Sequence, residues 1–184
     1  MYEVELKVEI TDGERQDLIS KFKTRDFSSE GITPQDDYYI QADKSPYGGY
    51  DLKRYRNEDG KFIYTEKIWE MVDGQPARKE NEHEVARNEF DSQVKAFPNT
   101  VVIRKQREWF AGKMQDSDVS ITIDTIKFDH SPAPRYFIEA EVDTDDKTKV
   151  KKIKENIREF LKELLGKSEI VEAPGMFAMA FEKK

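Results

Sequence analysis

The chain has 184 residues, of which 36% are hydrophobic and 38% charged, and its formal net charge is −7. That acidity argues against a surface built to coat nucleic acid, and no nucleic-acid partner is expected. The lack of Cys excludes disulfides and thiolate metal sites, and no apolar run approaches the roughly 18 residues of a membrane span.

The first stretch, Glu3-Val4-Glu5-Leu6-Lys7-Val8-Glu9-Ile10, alternates without a break. Val4, Leu6, Val8 and Ile10 point one way and Glu3, Glu5, Lys7 and Glu9 the other, the period of a strand with one buried face. Thr11 or Asp12 can cap a helix over 14–24, with Leu18, Ile19 and Phe22 as a narrow apolar stripe. Residues 26–35 read as a loop punctuated by Gly31 and Pro34, followed by a short strand over 36–40 and a break at 45–49. Residues 51–56 and 62–69 form a hairpin whose loop carries Asp59-Gly60. Arg54 and Arg56 share a face of its first arm; Ile63, Thr65 and Lys67 share one of the second.

Residues 71–76 read as a turn and 78–85 as a charged strand, with Arg78, Glu80, Glu82 and Glu84 on one side. A helix over 87–97 places Phe90, Val94 and Phe97 together, and Pro98 ends it. Strands follow at 101–110, with Lys105 and Arg107 on one face, at 119–127, with Thr122 and Asp124, and at 135–142. In the last, Tyr136, Ile138, Ala140 and Val142 alternate with Phe137, Glu139 and Glu141. A helix over 147–165 has the stripe Val150, Ile153, Ile157, Leu161 and Leu164, and the apolar tail Pro174 to Phe181 can dock on the body.

Eight strands joined mainly by hairpin-like turns, with three helices, predict an α+β protein built on a closed or nearly closed antiparallel barrel. No linker divides the chain, so one domain over 1–184 is expected. No signal-peptide pattern is present, and a soluble, cytoplasmic protein is expected.

The polar strand faces collect acids (Glu3, Glu5, Glu80, Glu82, Asp124, Glu139, Glu141) and bases (Lys7, Arg54, Arg56, Lys67, Arg78, Lys105, Arg107). Small barrels normally fill their inside with apolar side chains. Here the apolar faces can instead lie outward beneath helices, leaving a charged, wet lumen. Two like charges about 5 Å apart repel by roughly 3 kcal/mol at an effective dielectric near 20, so neighbouring strands need compensation. A divalent cation suits the carboxylates and a polyanion the bases; a metal-bound triphosphate satisfies both. With no Cys and only two His, carboxylate oxygens would hold the metal, which suits Mg²⁺ or Mn²⁺. The competing reading is a set of salt bridges on a solvated sheet.

Glu3-Val4-Glu5-Leu6-Lys7 resembles the E-x-E-x-K signature of the CYTH superfamily, the triphosphate tunnel metalloenzymes. The later charged segments come in a similar order: Arg54-Tyr55-Arg56, Thr65-Glu66-Lys67, Arg78-Lys79-Glu80-Asn81-Glu82, Lys105-Gln106-Arg107, Ile123-Asp124 and Phe137-Ile138-Glu139-Ala140-Glu141. The likeness is nearest to the class IV adenylyl cyclase-like branch. It implies an eight-stranded tunnel open at both ends. Glu3, Glu5, Glu139 and Glu141 would hold Mg²⁺ or Mn²⁺, and Lys7, Arg54, Arg56, Lys67, Arg78, Lys105 and Arg107 would grip phosphates. Glu80, Glu82 and Asp124 would line the tunnel, and Glu5, Lys7, Glu139 and Glu141 would serve catalysis. His130-Ser131-Pro132-Ala133-Pro134 departs from the family's Gly-containing approach to the last strand.

The resemblance implies a small-molecule triphosphate as partner (ATP, tripolyphosphate or thiamine triphosphate) and a monomer or homodimer. Hydrolysis and cyclisation of ATP need nearly the same residues. A non-catalytic polyphosphate or nucleotide binder is the alternative, weakened by the two carboxylate pairs. Trp69 and Trp109 are expected to pack, Tyr38 and Tyr39 to pack rather than stack on a base, and His83 to be a solvated strand residue. The run Lys147 to Lys154 is expected to be the solvated side of its helix.

Overall fold

The computed structural model describes residues 2–47, 49–72, 74–97, 100–115, 117–128 and 131–181, with 75, 76 and 181 described by backbone alone. Pro98 and His130 lie outside the described residues. The strands are β1 (Tyr2–Ile10), β2 (Ser28–Lys44), β3 (Tyr50–Glu58), β4 (Lys61–Val72), β5 (Gln75–Glu84), β6 (Val101–Met114), β7 (Ser117–Ile126) and β8 (Arg135–Thr144). The helices are α1 (Asp12–Thr24), α2 (Arg87–Ala96), α3 (Val150–Leu165, preceded by a 3₁₀ turn at Lys147–Lys149) and α4 (Met176–Phe181). All strand pairs are antiparallel, and the sheet closes in the order β1-β5-β4-β3-β2-β6-β7-β8.

The alternation of β1 sets which way the barrel faces. Val4, Leu6, Val8 and Ile10 are buried outside it, in one core with Leu18 and Phe22 of α1 and the Val150, Ile153, Ile157, Leu161 and Leu164 stripe of α3. Each such large apolar side chain contributes about 1.5–3 kcal/mol by leaving water. A full capping box starts α1: Thr11 accepts from the Glu14 backbone, and the Glu14 carboxylate accepts from the Thr11 N–H. Gly166 ends α3 at φ 64°.

Two loop expectations are corrected. Residues 26–35 are not a loop; from Ser28 they form the first half of the 17-residue β2. That half pairs with β6, from Ser28↔Ala111 to Tyr39↔Val101, while β3 joins only from Gln35 onward. Gly31, at φ 106°, sits at a bulge, so it bends the strand rather than ending it. The Pro34 carbonyl accepts from the Asp59 N–H. Its ring nitrogen therefore faces the β3 side, beyond the end of that ladder, and no sheet bond is lost. The 71–76 turn is also shorter than expected: β4 runs to Val72 and β5 starts at Gln75, with Gly74 at φ 74°.

Among the described residues, the barrel seam between β1 and β5 has one register pair, Glu3↔Arg78. Farther along β1 the C-terminal segment joins it: Val8 bridges Glu172, and the Ala173 N–H donates to the Lys7 carbonyl at 2.8 Å. The chain then enters α4. Met176, Phe177 and Met179 pack with Tyr39, Val101, Ile103, Ile126 and Phe137, which share strand faces with the lumenal charges. This apolar cluster flanks the lumenal charges on that side. Elsewhere α2 lays Phe90 over Tyr38, Tyr55, Phe62 and Tyr64 on the outer wall. The outer face of β5 (Lys79, Asn81, His83) is exposed, which explains its polarity. Among the described residues, no helix is long and apolar enough to cross a membrane.

Candidate active site inside the barrel

Strand alternation delivers the polar faces inward. One cavity of about 540 Å³ is lined by Glu3, Glu5 and Lys7 of β1, Arg54 and Arg56 of β3, Lys67 of β4, Arg78, Glu80 and Glu82 of β5, Lys105 and Arg107 of β6, and Glu139 and Glu141 of β8. Every base named from the sequence therefore meets the same space. Asp124 does not line it; this fully buried residue sits behind, accepting from Arg107 Nε and Nη2 at 2.7 Å each.

The charges are arranged in two sets. Glu3, Glu5 and Glu141 each offer a carboxylate oxygen within 4.8 Å of the others, a group able to hold a cation. Burial, reinforced by the Glu3 and Glu139 charges, pushes the Glu141 carboxyl up to about 9. Glu139 instead contacts the Lys7 ammonium and lies 3.5 Å from Arg107. Burial alone would raise its carboxyl, but Lys7 and Arg107 hold it well below the usual range. Arg78 contacts Glu5, lies 3.7 Å from Glu3 and stacks on Trp69, while Lys67 reaches Glu3 at 3.4 Å and contacts Glu80.

Across the bore the bases dominate. Arg54 donates to Thr65 at 2.9 Å and lies 3.5 Å from Glu82, which in turn accepts from Thr65. Lys105 sits 3.2 Å from Asp37 and 3.9 Å from Asp124. Burial and the Arg107 charge push its ammonium down to about 7, against the pull of Asp124 and Asp37. Such a wall holds anions, and the guanidinium groups present forked donors suited to phosphate.

Several residues of the site lie beyond the sequence reading. Asp37, fully buried behind the wall, accepts from Arg56 Nε at 2.6 Å. Its position at period 2 from Gln35 and Tyr39 was the available signal, but a five-residue strand gave no sidedness. Trp69 and Trp109, expected simply to pack, line the cavity and stack on Arg78 and Arg107. Tyr39 and Tyr38 take opposite sides: Tyr39 lines the cavity and packs on Phe177, whereas Tyr38 packs outside on Phe90. Met176 and Phe177 also line the cavity, with the Met176 thioether 3.9 Å from Lys105 Nζ.

The family model described as CYTH domain matches residues 1–173. No curated protein matches the chain. Among solved structures, a Pyrococcus horikoshii protein is 20% identical with a TM-score of 0.70, and all of both chains is covered. A Vibrio parahaemolyticus protein described as an adenylate cyclase candidate is 15% identical, with a TM-score of 0.67 and 98% of each chain covered. A Hippeastrum protein described as an adenylyl cyclase candidate with a dominant triphosphatase activity is 15% identical, with a TM-score of 0.60 and coverage of 100% of this chain and 97% of that one. At these identities the structural likeness concerns the fold; it is the family model, matched over nearly the whole length, that places this chain in the CYTH domain family.

Proposed function

We propose that this chain, acting as one domain, is a divalent-metal-dependent enzyme that seats a triphosphate in the barrel and hydrolyses it. The observation that carries the reading is the coexistence of a three-carboxylate group and a wall of lysines and arginines around one 540 Å³ cavity. The donor set fits Mg²⁺ or Mn²⁺: Glu3, Glu5 and Glu141 supply only hard oxygen ligands. The elevated Glu141 carboxyl also marks a crowding of negative charge that a cation would relieve. When bound there, the cation would neutralise phosphate charge and acidify water.

The chain's own residues do the rest. Lys7, Arg54, Arg56, Lys67, Arg78, Lys105 and Arg107 grip the phosphates and stabilise the charge that grows on the departing diphosphate. Water attacks the terminal phosphorus, the bond to the bridging oxygen breaks, and the ionised Glu139 takes the proton from the attacking water. Tyr50, Leu52 and Trp69 add apolar surface to the cavity. This favours a second reading, in which a nucleotide enters, the ribose 3′-hydroxyl of ATP attacks the α-phosphorus, and pyrophosphate leaves.

Incubation with tripolyphosphate or ATP and either metal, followed by separation of orthophosphate, pyrophosphate and cyclic AMP, tests both. Orthophosphate with a diphosphate product supports hydrolysis; cyclic AMP with pyrophosphate supports cyclisation. No product from any substrate with either metal leaves a polyphosphate binder.

A further inference from the structure

Resting on the triphosphate reading, we propose that Asp37 is a positioning residue that aims Arg54, Arg56 and Lys105 at the phosphates from behind. β2 lies between β3 and β6, which carry those three cations. The Asp37 carboxylate faces all of them: Arg56 Nε at 2.6 Å and Nη2 at 3.4 Å, Lys105 Nζ at 3.2 Å and Arg54 Nη1 at 3.6 Å. It is wholly buried and does not line the cavity, whereas its three partners do. It therefore cannot touch a triphosphate in that space and acts only through the cations.

The other carboxylates near these cations are each shared less widely. Arg56 has Glu58 at 3.5 Å, Arg54 has Glu80 and Glu82 at 3.9 and 3.5 Å, and Lys105 has Asp124 at 3.9 Å. Among the described residues, Asp37 is the one carboxylate within 4 Å of all three, and its bond to Arg56 is the shortest of the set. Removing it frees like charges to move apart. A guanidinium displaced by even ~1 Å costs catalysis up to ~100-fold, because its contact must match the transition state. Affinity falls less, since the loss of a negative charge behind the wall offsets the lost alignment for an anion.

The test is Asp37→Asn, which keeps shape and removes charge, assayed for metal-dependent tripolyphosphate hydrolysis beside wild type and Arg56→Lys. Arg56→Lys keeps the cation but loses the Nε–H that Asp37 accepts; because it also alters the phosphate contact, Asp37→Glu, which keeps the charge but shifts it by one methylene, carries the test should Asp37→Asn not fold. The expected result is a kcat lowered about tenfold or more in each variant, with KM changed less than about threefold. In an Arg56→Ala background, Asp37→Asn should cost less than it does alone, as for residues that act through one another. Wild-type kcat in the folded variants overturns the positioning role while leaving the proposed function intact. A wild-type protein that turns over no triphosphate overturns both.

Discussion

A triphosphate that settles against Lys105 must bring a proton with it near pH 8. The Lys105 side chain is 1% exposed, between Asp37 and Asp124. Burial and the Arg107 charge set its pKa at about 7, against an ordinary value of 10.5. One pH unit above that midpoint, about nine-tenths of the unliganded protein carries a neutral amine. A polyanion at hydrogen-bond distance favours the charged form, so binding takes up close to ~0.9 proton per site. From pH 7 upward, affinity then falls by as much as about tenfold per pH unit until the bound form also titrates. Calorimetric titration with tripolyphosphate at pH 8, in two buffers of different ionisation enthalpy, reads the proton number directly. Lys105→Met supplies the baseline due to the ligand's own titration. Equal proton numbers for wild type and Lys105→Met would refute the reasoning. The unliganded protein has the opposite dependence. Its unfolded chain keeps the Lys105 proton between about 7 and 10.5 while the folded state has shed it, so this group makes the fold more stable as pH rises through that window.

Glu5→Gln should abolish most Mg²⁺- or Mn²⁺-dependent turnover while moving the melting temperature little, because it removes one charge from the Glu3, Glu5 and Glu141 group without emptying space. Full activity in that variant, measured by orthophosphate release, would remove Glu5 from the metal set. Arg56→Ala should weaken tripolyphosphate binding and flatten its salt dependence; unchanged calorimetric affinity at two salt concentrations would take Arg56 out of the phosphate wall. Gly112→Ala should destabilise the fold by about 1–3 kcal/mol, since a Cβ there would run into the Phe27 ring, itself packed against Phe22. A wild-type denaturation midpoint would show that Phe27 moves aside freely.

Period-2 alternation was enough to assign sides on β1, β3, β6 and β8, and with them most of the charged lining. A strand has only two faces: once Val4, Leu6 and Val8 are buried outside, Glu3, Glu5 and Lys7 have nowhere else to point. The α3 stripe was equally readable, because a 3.6-residue period leaves one apolar face. Long β2 was not. Gly31 and Pro34 punctuate it locally, but β6 and the end of the β3 ladder decide that a bulge and a missing N–H cost nothing there.

Residue types and spacing thus determined by themselves the alternating strands, the helical stripe and which charged residues share a strand face. Only the closed sheet decided who faces whom: Glu141 with Glu3 and Glu5, Glu139 with Lys7, and Asp37 beneath Arg54, Arg56 and Lys105. It also decided that the α4 residues Met176 and Phe177 come to line the cavity. Those outcomes depend on stagger between strands far apart in sequence and on how a tail packs once the barrel exists. Local periodicity carries no record of either.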